Sequence, residues 1–153
     1  MTTFEIVQIL SGTVGVLGFS VLFNIRGKRM AMTVLGGFLS WLLFVIFSKF
    51  ISSEPINFFL VALIISFYAE IMARVLRTPT TTFITAALVP LIPGSSLYYT
   101  MAYAFQSDSV NFVTKAVDTL KLASALALGI IIATSVTRLY FEAKRSAKKT
   151  TIR

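Results

Sequence analysis

The chain has 153 residues, 56% of them hydrophobic and only 13% charged, with 14 Lys and Arg against 6 Asp and Glu. A water-soluble domain carries about a quarter charged residues, so too few polar groups remain here to cover a globule in water, and lipid is the solvent this composition calls for. With no Cys and no His, the chain excludes disulfides, Cys/His metal sites, a cysteine nucleophile and a histidine base. The acids are Glu5, Glu54, Glu70, Asp108, Asp118 and Glu142, a thin basis for catalysis. No enzyme, no metal and no cofactor is expected. The net charge of +8 lies in short clusters between apolar runs, which is how membrane topology is written, and no nucleic-acid partner is expected.

The first apolar run covers about Phe4 to Phe23 and carries Gly12, Gly15 and Gly18 at i, i+3 spacing. Only Met1-Thr2-Thr3 precedes it and no small-residue cleavage site follows, so it reads as a span rather than a signal peptide. Arg26, Lys28 and Arg29 come next, and then a second run from about Ala31 to Phe50 with a Gly36/Ser40 pair. A third run begins at about Pro55, a good first-turn residue, and reaches Ala73, with Arg74 and Arg77 behind it. The fourth covers about Thr81 to Phe105. The fifth covers about Asp118 to Val136, bears Ala125, Gly129 and Ala133, and is followed by a basic tail over 138–153.

Each run approaches the ~20 residues needed to cross ~30 Å of hydrocarbon as helix, and helix is the form that pairs its own backbone in lipid. The expected fold is an all-α integral membrane protein, one transmembrane domain of about five helices. Five crossings place eleven basic residues on one side, against Lys49, Lys115 and Lys121 on the other. The positive-inside rule then puts the N-terminus outside and the C-terminus in the cytoplasm.

The fourth span is interrupted by Pro90-Leu91-Ile92-Pro93-Gly94. Neither proline can donate a helical hydrogen bond, Val89 and Ile92 are biased away from helical geometry by the prolines that follow them, and Gly94 is free to take a positive φ. Two half-helices are expected, the second starting near Gly94-Ser95-Ser96. A helix N-terminus in low dielectric offers free N–H groups and a positive dipole end. With Ser95, Ser96, Tyr98 and Tyr99 around it, that end suits a carboxylate, as in transporters with discontinuous helices. The expected substrate-contacting residues are Pro90, Pro93, Gly94, Ser95, Ser96, Tyr98 and Tyr99. The other reading is a proline kink whose freed groups are met by neighbouring hydroxyls.

Glu70, about one turn inside the end of the third span, can pair with Arg74 at i+4. An acid at that depth is an ion-coupling candidate, or else half of an interfacial pair whose arginine snorkels to the headgroups. Lys115, Asp118 and Lys121 repeat at i+3 at the outer end of the fifth span and read as an anchor, with gating as the alternative. The three small-residue stripes read as helix-packing faces, within the chain or towards another subunit, a homo-oligomer included.

Gly18-Phe19-Ser20-Val21-Leu22-Phe23-Asn24, Ala73-Arg74-Val75-Leu76-Arg77-Thr78-Pro79, and Pro90-Leu91-Ile92-Pro93-Gly94 with Tyr98 resemble the threonine/serine exporter family, over about Gly18 to Gly129. Within that family the chain is similar to the short, separately encoded membrane subunit. The resemblance implies export of small polar carboxylates, threonine and serine or dicarboxylates such as succinate, from a prokaryotic cell across its plasma membrane. It also implies a larger partner subunit with its own five spans. Such a partner, starting in the cytoplasm, would be oppositely oriented to this chain, as in inverted-repeat transporters. Glu70 stands outside these motifs. Proton coupling is the natural source of work for uphill export. The rival expectations are a structural subunit that handles no solute, and a passive channel.

Overall fold

The computed structural model describes residues 2–150, with side chains described as far as Lys144, and the regular structure among them is all helical. Six α-helices follow in order: α1 Thr3–Leu22, α2 Lys28–Phe47, α3 Glu54–Val75, α4 Thr80–Ala87, α5 Gly94–Phe105 and α6 Ser109–Thr150, with a 3-10 turn over Val89–Leu91 between α4 and α5. Four of these, α1, α2, α3 and α6, are long and apolar enough to cross a membrane.

Local chemistry sets the ends. Thr2 and Glu5 form a reciprocal cap on α1, each side chain bonded to the other's backbone N–H, which satisfies donors a helix start leaves free. α1 stops because Asn24 turns left-handed (φ 56°) and the N–H of Ile25 reaches back to the carbonyl of Ser20 at 2.9 Å, a Schellman closure. Arg77 (φ 49°) and Ser107 (φ 56°) end α3 and α5 in the same way. Asn24 and the Arg77-Thr78-Pro79 step, which carry part of the family resemblance, are therefore helix terminators.

Small residues decide the packing. Gly37 leaves the space that the Val16 side chain fills between α1 and α2. Gly36 lies under Tyr68 of α3 and Ala87 of α4, where an added Cβ would come within 2.9 Å and 3.1 Å of them. Gly129 lets α6 lie against the α3 backbone, with Phe59 O 2.7 Å from where a Cβ would stand. Two of the expected stripes thus pack inside the chain. On the third, Gly12 meets Pro90 and Trp41, while Gly15 and Gly18 face open space. Val61, Ile65, Phe83 and Leu91 are wholly buried where α3, α4 and the 3-10 turn meet.

α3 and α6 run parallel and in register. Glu54 shares a cleft with Lys121, Ala62 faces Gly129, and the Arg74 guanidinium lies 4.0 Å over the Phe141 ring. The first twelve residues of α6, Ser109 to Leu120, therefore project ~18 Å past the start of α3 at 1.5 Å per residue. α5 folds back against this projection, joined to it by a 3.1 Å hydrogen bond between the Thr100 and Thr119 hydroxyls.

Two expectations change. α6 begins at Ser109, well before 118, because Asp108 caps it by accepting from the backbone N–H (3.2 Å) and side-chain amide (2.7 Å) of Asn111. It also continues through much of the expected tail to Thr150, with an Arg138–Glu142 pair at 3.0 Å spanning one of its turns. The side chains of Arg145, Lys148 and Lys149, and all of Arg153, lie outside the described residues.

Candidate functional site

The interruption expected at Pro90–Gly94 is present. α4 stops at Ala87 after 8 residues, and α5 starts at Gly94 and runs for 12. Ile92, forced off helical geometry by the proline after it, is extended at φ −63°, ψ 124°. Val89, expected to leave the helical region for the same reason, opens the 3-10 turn instead. The tighter turn accepts Pro90 near its start, where no donor is needed. Gly94 is not among the residues with positive φ; it is the first residue of α5, with open space around it.

The broken segment threads from one end of the bundle to the other. Pro90 packs on Gly12, near the middle of α1 and beside Trp41 of α2, and Leu91 is fully buried. Ser96 lies at the level of Glu54 and Lys121, where α3 begins. Tyr98 and Tyr99 stand farther out on α5, exposed and edge-to-face at 5.5 Å. The residues from Pro90 to Tyr99 are thus spread along the segment rather than gathered in one pocket. No carbonyl of the described residues accepts from the N–H of Ser95 or Ser96, whereas Leu97 donates to Pro93 O at 3.0 Å. These two amides, at the positive end of α5, are free to meet an anion.

Glu70 and Arg74 meet as their spacing requires, at 2.6 Å, with the Glu70 side chain 11% exposed and that of Arg74 35%. The arginine also donates to the Glu70 carbonyl at 2.9 Å and stacks on Phe141 of α6. The guanidinium thus folds back one turn onto Glu70 while its face rests on the Phe141 ring of α6. At the opposite end, Lys115, Asp118 and Lys121 share with Glu54 and Ser96 a cleft of about 250 Å³. Lys121 and Asp118 are 3.5 Å apart.

Sequence reasoning passed over several polar groups. Trp41 Nε1, Asn57 Oδ1 and Ser66 Oγ are buried without a hydrogen-bond partner within the chain, a condition that costs about 1–3 kcal/mol per group. A second cleft, of about 190 Å³, is lined by Thr81, Thr82 and Thr85 of α4 with Phe23 and Ile25. The signal for it was the hydroxyl run Thr80-Thr81-Thr82 with Thr85, just ahead of the prolines.

Long apolar helices packed around an interrupted one are the architecture of a helical membrane protein. The family model described as "Threonine/Serine exporter, ThrE" matches residues 8–136. The chain belongs to that family, whose description points to an exporter. Comparison with curated proteins and with solved structures yields no match.

Proposed function

We propose that the chain is the membrane subunit of a proton-coupled secondary exporter of small polar carboxylates, threonine- and serine-type amino acids or dicarboxylates such as succinate. It works with a larger membrane subunit of the same family. The chain crosses a prokaryotic plasma membrane five times, counting α4, the 3-10 turn and the start of α5 as one crossing. The end bearing Arg26, Arg74, Arg77 and Arg138 lies in the cytoplasm. The observation that carries this reading is the broken helix itself, buried at Leu91 and ending in unpaired Ser95 and Ser96 amides. Free backbone groups at membrane depth are tolerated where they line a solute path or meet another protein.

The solute path leads from the threonine-lined cleft of α4, along the interruption, to Ser95 and Ser96. The subunit partner covers the open side of α1, where Gly15 and Gly18 leave room for a close helix. Glu70, held by Arg74, carries the coupling proton.

Efflux of labelled threonine and succinate from energised cells tests the proposal. Export against a gradient is expected when this chain and the large subunit are produced together, and not with either alone. Gly94→Leu should abolish it while the protein accumulates normally, because a side chain at Gly94 meets no atom of another element yet adds bulk next in the chain to the free Ser95 and Ser96 amides. Normal efflux in that variant would reduce the break to a kink, and equilibration without accumulation would make the protein a channel. Glu70→Gln should remove the pH dependence of efflux, and unchanged pH dependence there would end the coupling role.

A further inference from the structure

At the end of the bundle away from the basic clusters, three separate elements converge on one cleft. The start of α3 supplies Glu54, the first turn of α5 supplies Ser96, and α6 supplies Lys115, Asp118 and Lys121. Its volume of about 250 Å³ falls just below the ~300–1,000 Å³ typical for drug-sized ligands, which sizes it for a smaller molecule. The formal charges in it are two carboxylates and two ammoniums.

These charges do not consume one another. Lys121 and Asp118 approach only to 3.5 Å, with side chains 60% and 45% exposed, the kind of surface pair that contributes little to stability. Neither Glu54 nor Lys115 is in an ion pair among the described residues. A purely structural explanation therefore gains little from placing four charges here. A ligand gains much: its carboxylate would meet two ammoniums, its ammonium two carboxylates, and the Ser96 hydroxyl would lie beside both. A dicarboxylate would instead bring two negative charges towards Glu54 and Asp118, and like charges so placed repel.

The geometry points to a binding site for a zwitterionic hydroxy-amino acid in this cleft. Lys115 and Lys121 take the carboxylate, Glu54 and Asp118 the ammonium, and Ser96 the side-chain hydroxyl. The inference rests on the exporter reading and adds a place and a selectivity to it. The place is where the solute leaves the broken helix, and the selectivity is for a zwitterion over a dicarboxylate. The charges expected from sequence as an outer anchor become the release site.

Equilibrium binding of radiolabelled L-threonine and of succinate to the purified full-length chain in detergent tests it apart from transport. The wild-type chain should bind threonine in preference to succinate. Lys115→Gln with Lys121→Gln should weaken threonine binding at least tenfold, while Lys121→Arg, which keeps the charge, should leave it within a few-fold. Glu54→Gln with Asp118→Asn leaves both lysines uncompensated and should reverse the preference towards succinate. Absence of threonine binding to the wild type, or binding indifferent to the lysine pair, overturns the site; an unreversed preference in the acid pair overturns its selectivity. Charge-dependent binding without cellular efflux would leave the site standing and sink the exporter reading, and efflux with charge-independent binding would do the opposite.

Discussion

The bundle of α1 to α4 with the later part of α6, and the hairpin of α5 with the first part of α6, are both built from apolar sequence, yet they bury it very differently. In the bundle, Val16, Val61, Phe83 and Leu91 are completely covered. In the hairpin, Tyr98, Phe105 and Val110 are 68%, 84% and 77% exposed. Hydrophobicity alone does not separate them. Close approach does: the bundle has Gly36, Gly37 and Gly129 at its helix crossings, and the hairpin has no glycine between Ser95 and Leu128. The bundle is a packed scaffold, and the hairpin is an arm hinged on it at the proline break.

Adding a side chain at a crossing breaks the comparison most severely. Gly129→Val puts a Cβ 2.7 Å from Phe59 O and 3.0 Å from Leu63 N, and neither backbone atom can step aside within a helix. Overpacking costs about 1–3 kcal/mol, and this site belongs at the upper end. A clear drop in melting temperature in detergent is expected. Gly15→Val, with nothing within 4 Å, should leave the melting temperature of the isolated chain nearly unchanged. Equal losses at the two positions would show that the α3–α6 seam is no tighter than the open face of α1.

The hairpin is held more lightly. Thr100, buried at 8% exposure, has its hydroxyl 3.1 Å from that of Thr119 and 2.8 Å from the Ser96 carbonyl one turn back. Thr100→Val should cost about 1 kcal/mol, the usual net worth of such a bond. Its effect should be local: faster amide exchange in α5 and the start of α6, with α3 amides unaffected. Exchange rising in α3 as well would mean that arm and scaffold open as one unit, and the distinction between them would fall.

Much of this contrast was legible in the sequence, and what was not has a common physical cause. The apolar runs located α1, α2 and α3 closely, because hydropathy reports directly on what lipid requires. Pro90 and Pro93 located the interruption, because a missing N–H is a property of the residue itself. Glu70 and Arg74 were read correctly as partners because the helix fixes i, i+4 geometry. The arm was not legible, since a hydropathy run reports length and not the level at which a helix lies against its neighbours. Only the register of α3 on α6 shows that Ser96 belongs with Glu54. Trp41, Asn57 and Ser66 were missed for a related reason: a polar residue in an apolar run is visible, but whether another helix brings it a partner is not. Asn24 and Arg77 were noticed as motif residues, while the left-handed turns they make (φ 56° and 49°) came from the structure.

The smallest expected effect concerns the tip of the arm. Asp108 accepts hydrogen bonds from the Asn111 side chain and then from its backbone N–H, and these hold its carboxyl below the usual aspartate value of 3.8. A carboxyl whose folded value is depressed stabilises the folded form above its unfolded pKa, and that contribution disappears as pH falls through the folded one. The cap on α6 should therefore be intact at neutral pH and lost under acid conditions, at a pH below the ordinary aspartate range. Amide exchange at Asn111 should speed up there, with the bundle unaffected, and Asp108→Ala should show the fast exchange already at neutral pH. Asp108→Asn, which still offers an acceptor to the helix start, should keep the slow exchange and lose its pH dependence. An Asn111 amide equally fast in all three proteins at neutral pH would mean that the early start of α6 does not depend on its cap, and that packing against α5 alone draws the helix out to Ser109.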